Sequence, residues 1–165
     1  MKKAIISLLV ILPFIYSCSD SDNDTTTPSI AGEWSTQTLT IYSSTYDEDI
    51  DPYVKKAFSD ILEENKITRT FTSENNTVVT KYINSLGSEV IYSSQTYEIQ
   101  KDSLYLKSNN STTSCHFSVS DQILTTRWQV NKKELVAILL DMEKQGVAMI
   151  IPEDYTGTIT FVEKR

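Results

Sequence analysis

The chain has 165 residues, and its 15 Lys and Arg against 22 Asp and Glu give a formal net charge of −7 at pH 7. This acidic balance argues against a nucleic-acid-binding protein, because phosphate backbones are bound by basic surfaces. The length suits one domain with its own core.

The first eighteen residues, MKKAIISLLVILPFIYSC, have the pattern of a secretory signal, with two lysines before a short apolar core and a small residue near its end. A membrane-spanning helix needs about 20 apolar residues, and this stretch is shorter and contains Pro13. Its last four residues, ending at Cys18, resemble the lipobox of bacterial lipoproteins. The resemblance implies a signal peptide over residues 1–17 and lipidation of Cys18.

Residues 18–29 are rich in Ser, Asp and Thr, and this composition predicts a disordered tether. The motif that starts at Cys18, Cys-Ser-Asp-Ser-Asp, resembles the acidic export signal of surface lipoproteins in Bacteroidetes. The resemblance implies a lipid-anchored protein on the outer face of the outer membrane, with the periplasmic face as the alternative. A lipidated Cys18 makes the membrane an expected partner, since two or more acyl chains anchor a protein stably.

From Glu33 onward, runs rich in Thr, Tyr, Val and Ile recur about every eight to twelve residues, which predicts an antiparallel meander closing into a barrel or sandwich. Side-chain alternation places Cys115 and Phe117 on an inward face, and Ile159 and Phe161 on another. The predicted strands cover 33–42, 66–73, 77–84, 89–94, 96–100, 103–108, 114–119, 123–130 and 156–163.

Two helices interrupt the predicted strands. Asp51 is a candidate N-cap for a helix over 52–64, because Pro52 suits the first helical position. Asn131 and Glu134 form a capping box for a second helix that ends before Gly146. Both segments carry apolar residues at helical spacing, which predicts that they cover the core.

The sequence contains few of the side chains that catalytic sites use. The one histidine, His116, follows Cys115 directly, and neighbouring residues of a strand point to opposite faces. The two therefore cannot form a thiolate–imidazole pair, and the residues of a zinc or acyl-transfer site are missing. We expect no enzymatic activity and no cofactor. If Cys18 carries lipid, Cys115 has no partner for an internal disulfide.

The densest acidic cluster runs from Asp47 to Asp51 and begins like a calcium-binding loop. The loop pattern then fails, because Pro52 stands where glycine makes the turn and Phe58 where a glutamate binds the ion. We therefore interpret these acids as favourable charges before a helix, and expect no metal site.

Arg69 is the unusual residue of the predicted strands, because alternation places it on the same inward face as Ile67 and Phe71. A buried guanidinium needs a carboxylate or carbonyl partner. We favour a bulge that lets Arg69 reach solvent. The alternative is pairing inside a polar cavity, where a cation would suit an anionic ligand.

Ile30-Ala31-Gly32-Glu33-Trp34, at the start of the first strand, resembles the G-x-W opening of lipocalins. The resemblance implies a mainly β, up-and-down antiparallel barrel of about eight strands with two short helices, over residues 30–165. It also implies that Trp34, after Gly32, plugs the closed end of the barrel.

Two classes of function follow. The first is a non-enzymatic carrier of a small apolar or amphipathic ligand, with Trp34, Arg69, Tyr97 and Trp128 as candidate ligand-binding residues. The second is a surface module for an envelope protein partner, with a barrel filled by its own side chains; an inhibitor or adhesin is a weaker third possibility. The predicted inward residues are mostly Leu, Ile, Phe and Val, which slightly favours a filled barrel. We expect a monomer.

Overall fold

A computed structural model of the chain describes residues 29–44, 47–84, 86–109 and 111–165. The predictions for the signal peptide, for lipidated Cys18 and for the tether up to residue 28 lie outside the described residues.

Eight antiparallel strands pair in chain order and form a closed barrel, because the last strand pairs with the first. The strands are β1 (Gly32–Ser43), β2 (Lys66–Thr72), β3 (Thr77–Ile83), β4 (Glu89–Gln100), β5 (Ser103–Ser108), β6 (Ser111–Ser120), β7 (Ile123–Asn131) and β8 (Thr156–Lys164). The predicted fold class, an up-and-down barrel of about eight strands, is confirmed.

One strand differs from its prediction. The segments predicted at 89–94 and 96–100 are a single strand, β4. Its pairing with β3 shifts register, since Thr80 pairs with Ser93 whereas Lys81 pairs with Ile91, which leaves Tyr92 as the extra residue. A bulge of this kind changes which side chains of a strand face inward, and the predicted break, at Gln95, lies three residues after it.

Three helices are present among the described residues: α1 (Asp51–Glu64), α2 (Lys132–Asp141) and α3 (Gln145–Ala148). The capping box of Asn131 and Glu134 is confirmed at α2. The predicted N-cap of α1 is wrong by one residue, because Ile50 holds that position and Asp51 is the first helical residue. The third helix was not predicted, since its four residues are too few to show a periodicity. No described helix is both long and apolar enough to cross a membrane.

All three helices lie at one end of the barrel. In an up-and-down barrel, the β1–β2, β3–β4, β5–β6 and β7–β8 connections meet at the same end, and α1, α2 and α3 belong to the first and the last of them. We call this the helix end. The buried faces of the helices join an apolar cluster with the adjacent strands: Leu39, Ile41, Val54, Ala57, Phe58, Ile61, Ile67, Val130, Leu135, Leu139, Ala148, Ile151, Tyr155 and Ile159.

The opposite end, which we call the closed end, has its own apolar cluster. Trp34 is fully buried there, and its indole Nε1 donates to the carbonyl of Ile30 at 2.7 Å. Gly32 has φ +126°, a conformation that L side chains rarely adopt, so the first strand can begin there only with glycine. The other members of the cluster are Phe71, Val78, Tyr97, Leu104, Leu106, Cys115, Phe117 and Leu124.

Candidate functional site

A cavity of about 620 Å³ lies inside the barrel toward the helix end. Small-molecule sites in proteins have volumes of about 300–1,000 Å³, so the cavity is large enough for a ligand. It lies beneath α1 and α2 and is bounded by residues of all eight strands. The interior of this barrel is therefore not filled by its own side chains, although the apolar inward residues of the sequence slightly favoured a filled one.

One side of the cavity and its roof are apolar. Phe58 and Ile61 of α1, Ile138 of α2 and Met142, the residue after α2, line the roof. The apolar side is formed by strands β1, β2, β7 and β8, with Leu39, Ile67, Trp128, Val130, Ile159 and Phe161.

The other side carries small polar side chains. Thr80 of β3 and Ser93 of β4 face each other across a strand pair, and Gln95 lies two residues before the buried, inward-facing Tyr97. Thr113 of β6 pairs with the inward-facing Leu106. Partners in an antiparallel pair share a face of the sheet, so all four side chains point into the barrel. The cavity is consequently amphipathic, with hydroxyl and amide groups on one side.

A buried ion pair lies between the cavity and the closed-end cluster, whose member Leu106 also lines the cavity. The Arg69 guanidinium is paired with the Glu163 carboxylate, with 2.8 Å between Nε and Oε1 and a second bond from Nη2 to Oε2. Arg69 is 4% exposed and Glu163 is 0% exposed. Two threonine hydroxyls complete the layer: Thr126 accepts from Arg69 Nη2 at 2.9 Å, and Thr36 donates to Glu163 Oε1 at 3.4 Å.

The favoured interpretation of Arg69 is therefore wrong. β2 has no register shift against either neighbour, so no bulge turns Arg69 toward solvent. Alternation holds, and the side chain points inward between Trp34 and Thr80, its partners in β1 and β3. Burial is possible because Glu163 neutralises the guanidinium and accepts two of its hydrogen bonds. The alternative, pairing inside a polar cavity, matches the observed structure.

One contact ties the wall of the cavity to a helix, and a second ties the two longer helices to each other. The Tyr92 hydroxyl donates to Oδ2 of Asp141, the last residue of α2, at 3.1 Å. Lys144, which follows α2, pairs with Glu64 at the end of α1 at 2.7 Å. Partial burial and the nearby negative charge of Asp141 raise the pKa of Tyr92 to about 12, so the phenol keeps its proton at neutral pH.

Two of the four predicted ligand-binding residues lie on the cavity. Arg69 is at its floor, and Trp128 is on its apolar side with Nε1 donating to the Thr126 hydroxyl at 3.2 Å. Trp34 and Tyr97 do not line the cavity but belong to the closed-end cluster. Tyr97 packs edge-on against Phe71 with ring centroids 5.3 Å apart, so both predicted residues are used in the core. Cys18, the predicted lipidation site, is outside the described residues.

Sequence reasoning missed Glu163 as the partner of Arg69. The signal was present, because Ile159 and Phe161 were assigned to an inward face and the next residue on that face is Glu163. An inward arginine in one strand and an inward glutamate in another of the same barrel predict a pair, since neither charge is stable alone in a core.

Cys115 and His116 lie on opposite faces of β6, as predicted. Cys115 is buried, and this burial raises the pKa of its thiol to about 12. His116 is exposed, with Nδ1 at 3.5 Å from Oδ2 of Asp102. Among the described residues, no group of three or more His, Cys, Asp and Glu side chains is placed to hold a metal ion.

The acidic cluster before α1 contains one buried carboxylate. Asp51 is 3% exposed, and its Oδ2 accepts the backbone N–H of Asp47 at 3.4 Å. Its Oδ1 has no hydrogen-bond partner. The carboxylate lies in the first turn of α1, where the positive end of the helix favours a negative charge.

Comparison with known proteins found no family model, no curated sequence and no solved structure that matches this chain. The function must therefore be inferred from the geometry of the cavity and from the sequence.

Proposed function

We propose that the chain is an outer-membrane-anchored, lipocalin-like lipoprotein that binds a small apolar or amphipathic ligand in its barrel and has no enzymatic activity. The observation that carries the proposal is the cavity of about 620 Å³ at the helix end. A largely apolar cavity with a few convergent polar groups is the usual form of a ligand site. The G-x-W motif at Gly32 and Trp34 and the eight-stranded barrel support the lipocalin-like assignment.

The position of Ser29 and Ile30, the first described residues, supports a carrier whose helix end is free. Ile30 belongs to the closed-end cluster, and Arg165 donates to the carbonyl of Ser29 at 3.1 Å. A tether to lipidated Cys18 would thus join the barrel at the end opposite the helices. The helix end, near which the cavity lies, would then be directed away from the point of attachment.

Ligand binding can be tested by filling the cavity. We would express the chain from Ser19, which retains every described residue, and titrate it with Nile red, an uncharged apolar dye. Gln95→Trp puts a large side chain into the cavity and should abolish binding. Thr96→Trp is the matched control, because Thr96 is the next residue of β4 and is exposed on its outer face. Binding that survives Gln95→Trp unchanged, or that is absent in the wild type, would contradict the carrier.

The anchoring part of the proposal has a separate test. Cys18→Ala should abolish labelling with palmitate and release the protein from the membrane fraction. Accessibility to added protease on intact cells would then distinguish the cell surface from the periplasmic face. A Cys18→Ala protein that still incorporates palmitate and remains with the membrane would rule out this lipid anchor.

The alternative function, docking of an envelope protein, is favoured by a different observation. Connections at the helix end carry large apolar side chains that are exposed: Tyr53, Leu86, Leu140, Met149 and Ile150. Leu86→Ser with Met149→Ser should reduce capture of such a partner while leaving Nile red binding unchanged. Loss of Nile red binding in Gln95→Trp with unchanged partner capture would separate the two functions.

A further inference from the structure

The floor of the cavity has one donor nitrogen, with two N–H groups, left for a ligand. Arg69 uses Nε and Nη2 for Glu163 and Thr126. Its third nitrogen, Nη1, donates to no described residue and is not among the buried unpaired atoms, and Arg69 lines the cavity. Nη1 therefore remains accessible from the cavity.

The floor is formally neutral although it contains a guanidinium. The buried charged side chains of the described residues are Asp51, Arg69 and Glu163, and Asp51 does not line the cavity. Glu163 cancels the charge of Arg69 at hydrogen-bond distance. The other charged side chains that line the cavity, Lys81 and Glu134, make polar contacts with Glu89 and with the N-terminus of α2.

We propose that the cavity selects an uncharged amphiphile, whose ester, carbonyl or hydroxyl oxygen accepts from Nη1 of Arg69 and whose aliphatic body lies along the apolar side. This inference rests on the proposed carrier function and names its ligand class. The hydroxyl and amide groups of Thr80, Ser93, Gln95 and Thr113 can both donate and accept, so they suit further uncharged oxygens on the same ligand.

An anionic ligand is disfavoured by the same geometry. A carboxylate entering the cavity would lose its water and gain hydrogen bonds only from Nη1 of a guanidinium that Glu163 already neutralises. It would also lie near the Glu163 carboxylate, and two like charges in a buried site oppose each other. An ester oxygen loses less hydration, carries no charge and can use the same donor.

The test compares probes that share one aliphatic chain and differ in charge. Dodecanoate, methyl dodecanoate and monododecanoylglycerol, each below its aggregation concentration, would displace Nile red from the chain expressed from Ser19 at pH 8. The two uncharged probes should bind at least about tenfold more tightly than the carboxylate, a difference of about 1.4 kcal/mol.

The variant Glu163→Gln provides a second test of this selectivity, because the amide keeps the size of the side chain and removes its charge. Arg69 then becomes a net cation, and the preference for methyl dodecanoate over dodecanoate should fall by about tenfold or reverse. Glu153→Gln is the matched control, since it makes the same change in net charge at an exposed residue whose side chain is 92% exposed and off the cavity.

The outcomes separate this inference from the carrier. Dodecanoate that binds wild-type protein as tightly as the ester overturns the ligand class and leaves the carrier intact. Unchanged selectivity in folded Glu163→Gln overturns the role of the ion pair. If that variant does not fold, the comparison in wild-type protein decides alone. If neither Nile red nor any probe binds, the carrier fails and this inference fails with it.

Discussion

The guanidinium carbon of Arg165 lies 4.3 Å from the centroid of the Trp34 ring, so the last residue of the chain covers the tryptophan of the first strand. The same side chain donates to the carbonyls of Ala31 at 3.3 Å and Ser29 at 3.1 Å. These contacts join the two termini of the barrel at its closed end. They also hold Trp34 in place beneath the Arg69–Glu163 layer.

Arg165→Ala should lower the free energy of unfolding by about 1 kcal/mol, because it removes an exposed cation–π contact and two hydrogen bonds. Urea unfolding followed by circular dichroism measures the change. Arg165→Lys keeps the charge but loses the planar stack and the forked donors, so it should recover only part of the loss. An unchanged urea midpoint for Arg165→Ala would show that the contact contributes nothing.

The Arg69–Glu163 pair predicts that mutations of the two residues have strongly non-additive effects on the free energy of unfolding. Arg69→Met or Glu163→Leu alone should cost about 3–5 kcal/mol, because each leaves an unpaired charge in the core. The double variant removes both charges and should lie within about 2 kcal/mol of wild type. A double-mutant cycle by urea unfolding gives the coupling energy. Simple addition of the two single losses would contradict a buried, mutually neutralising pair.

Cys115 predicts a loss of stability at alkaline pH. Burial raises the pKa of its thiol from the usual value near 9 to about 12, so between these pH values unfolding releases a proton. The contribution of this thiol to the free energy of unfolding is therefore fully present below pH 9. It is lost as pH rises toward 12, by up to about 1.4 kcal/mol per pH unit.

Between pH 8 and 10.5, the wild type should thus lose about 2 kcal/mol more than Cys115→Ala, which has no thiol to titrate. Urea unfolding of both proteins at the two pH values makes the comparison. Burial also raises the pKa of Tyr155 to about 12, but this contribution is common to both proteins and cancels. Parallel losses in the two proteins would mean that the thiol is not buried.

The hydrogen bond from Tyr92 to Asp141 predicts the rate of ligand exchange, since it ties β4 to the helix over the cavity. Tyr92→Phe removes about 0.5–1.5 kcal/mol of interaction and should speed dissociation of Nile red by about two- to tenfold. Stopped-flow dilution measures this rate. Tyr105→Phe is the control, because Tyr105 lies in β5 between the inward-facing Leu104 and Leu106 and points outward. If Nile red dissociates at the same rate from both variants, the hydrogen bond between Tyr92 and Asp141 does not control ligand exchange.

Much of the fold could be predicted from the sequence, because strand alternation and helix caps are local. The inward faces of β6 and β8 and the capping box at Asn131 follow from patterns of a few residues, whereas the closed-end position of Trp34 was implied by the resemblance to lipocalins. The prediction of β4 as two strands was wrong for a physical reason. Its bulge at Tyr92 depends on the pairing with β3, and the residues of one strand alone do not specify that pairing.

The site was harder to predict, because it depends on which inward residues share a level of the barrel. The alternation that placed Arg69 inward was correct, but its partner Glu163 is 94 residues away in sequence. The cavity itself arises because small residues such as Ser93 and Thr113 face inward on one side while α1 and α2 stay above the barrel. The volume of such a cavity depends on how the helices and strands are placed in three dimensions, and no local sequence pattern predicts it.

The most direct test of the carrier uses the two tryptophans as internal probes. Trp128 lines the cavity, whereas Trp34 is buried in the closed-end cluster below the ion pair. A methyl ester with bromine on its aliphatic chain would be titrated into Trp34→Phe, where only Trp128 emits, and into Trp128→Phe, where only Trp34 emits. A ligand in the cavity predicts saturable quenching of Trp128 at one ligand per chain and little quenching of Trp34. Absence of saturable quenching, or equal quenching of both tryptophans, would contradict a ligand-binding barrel.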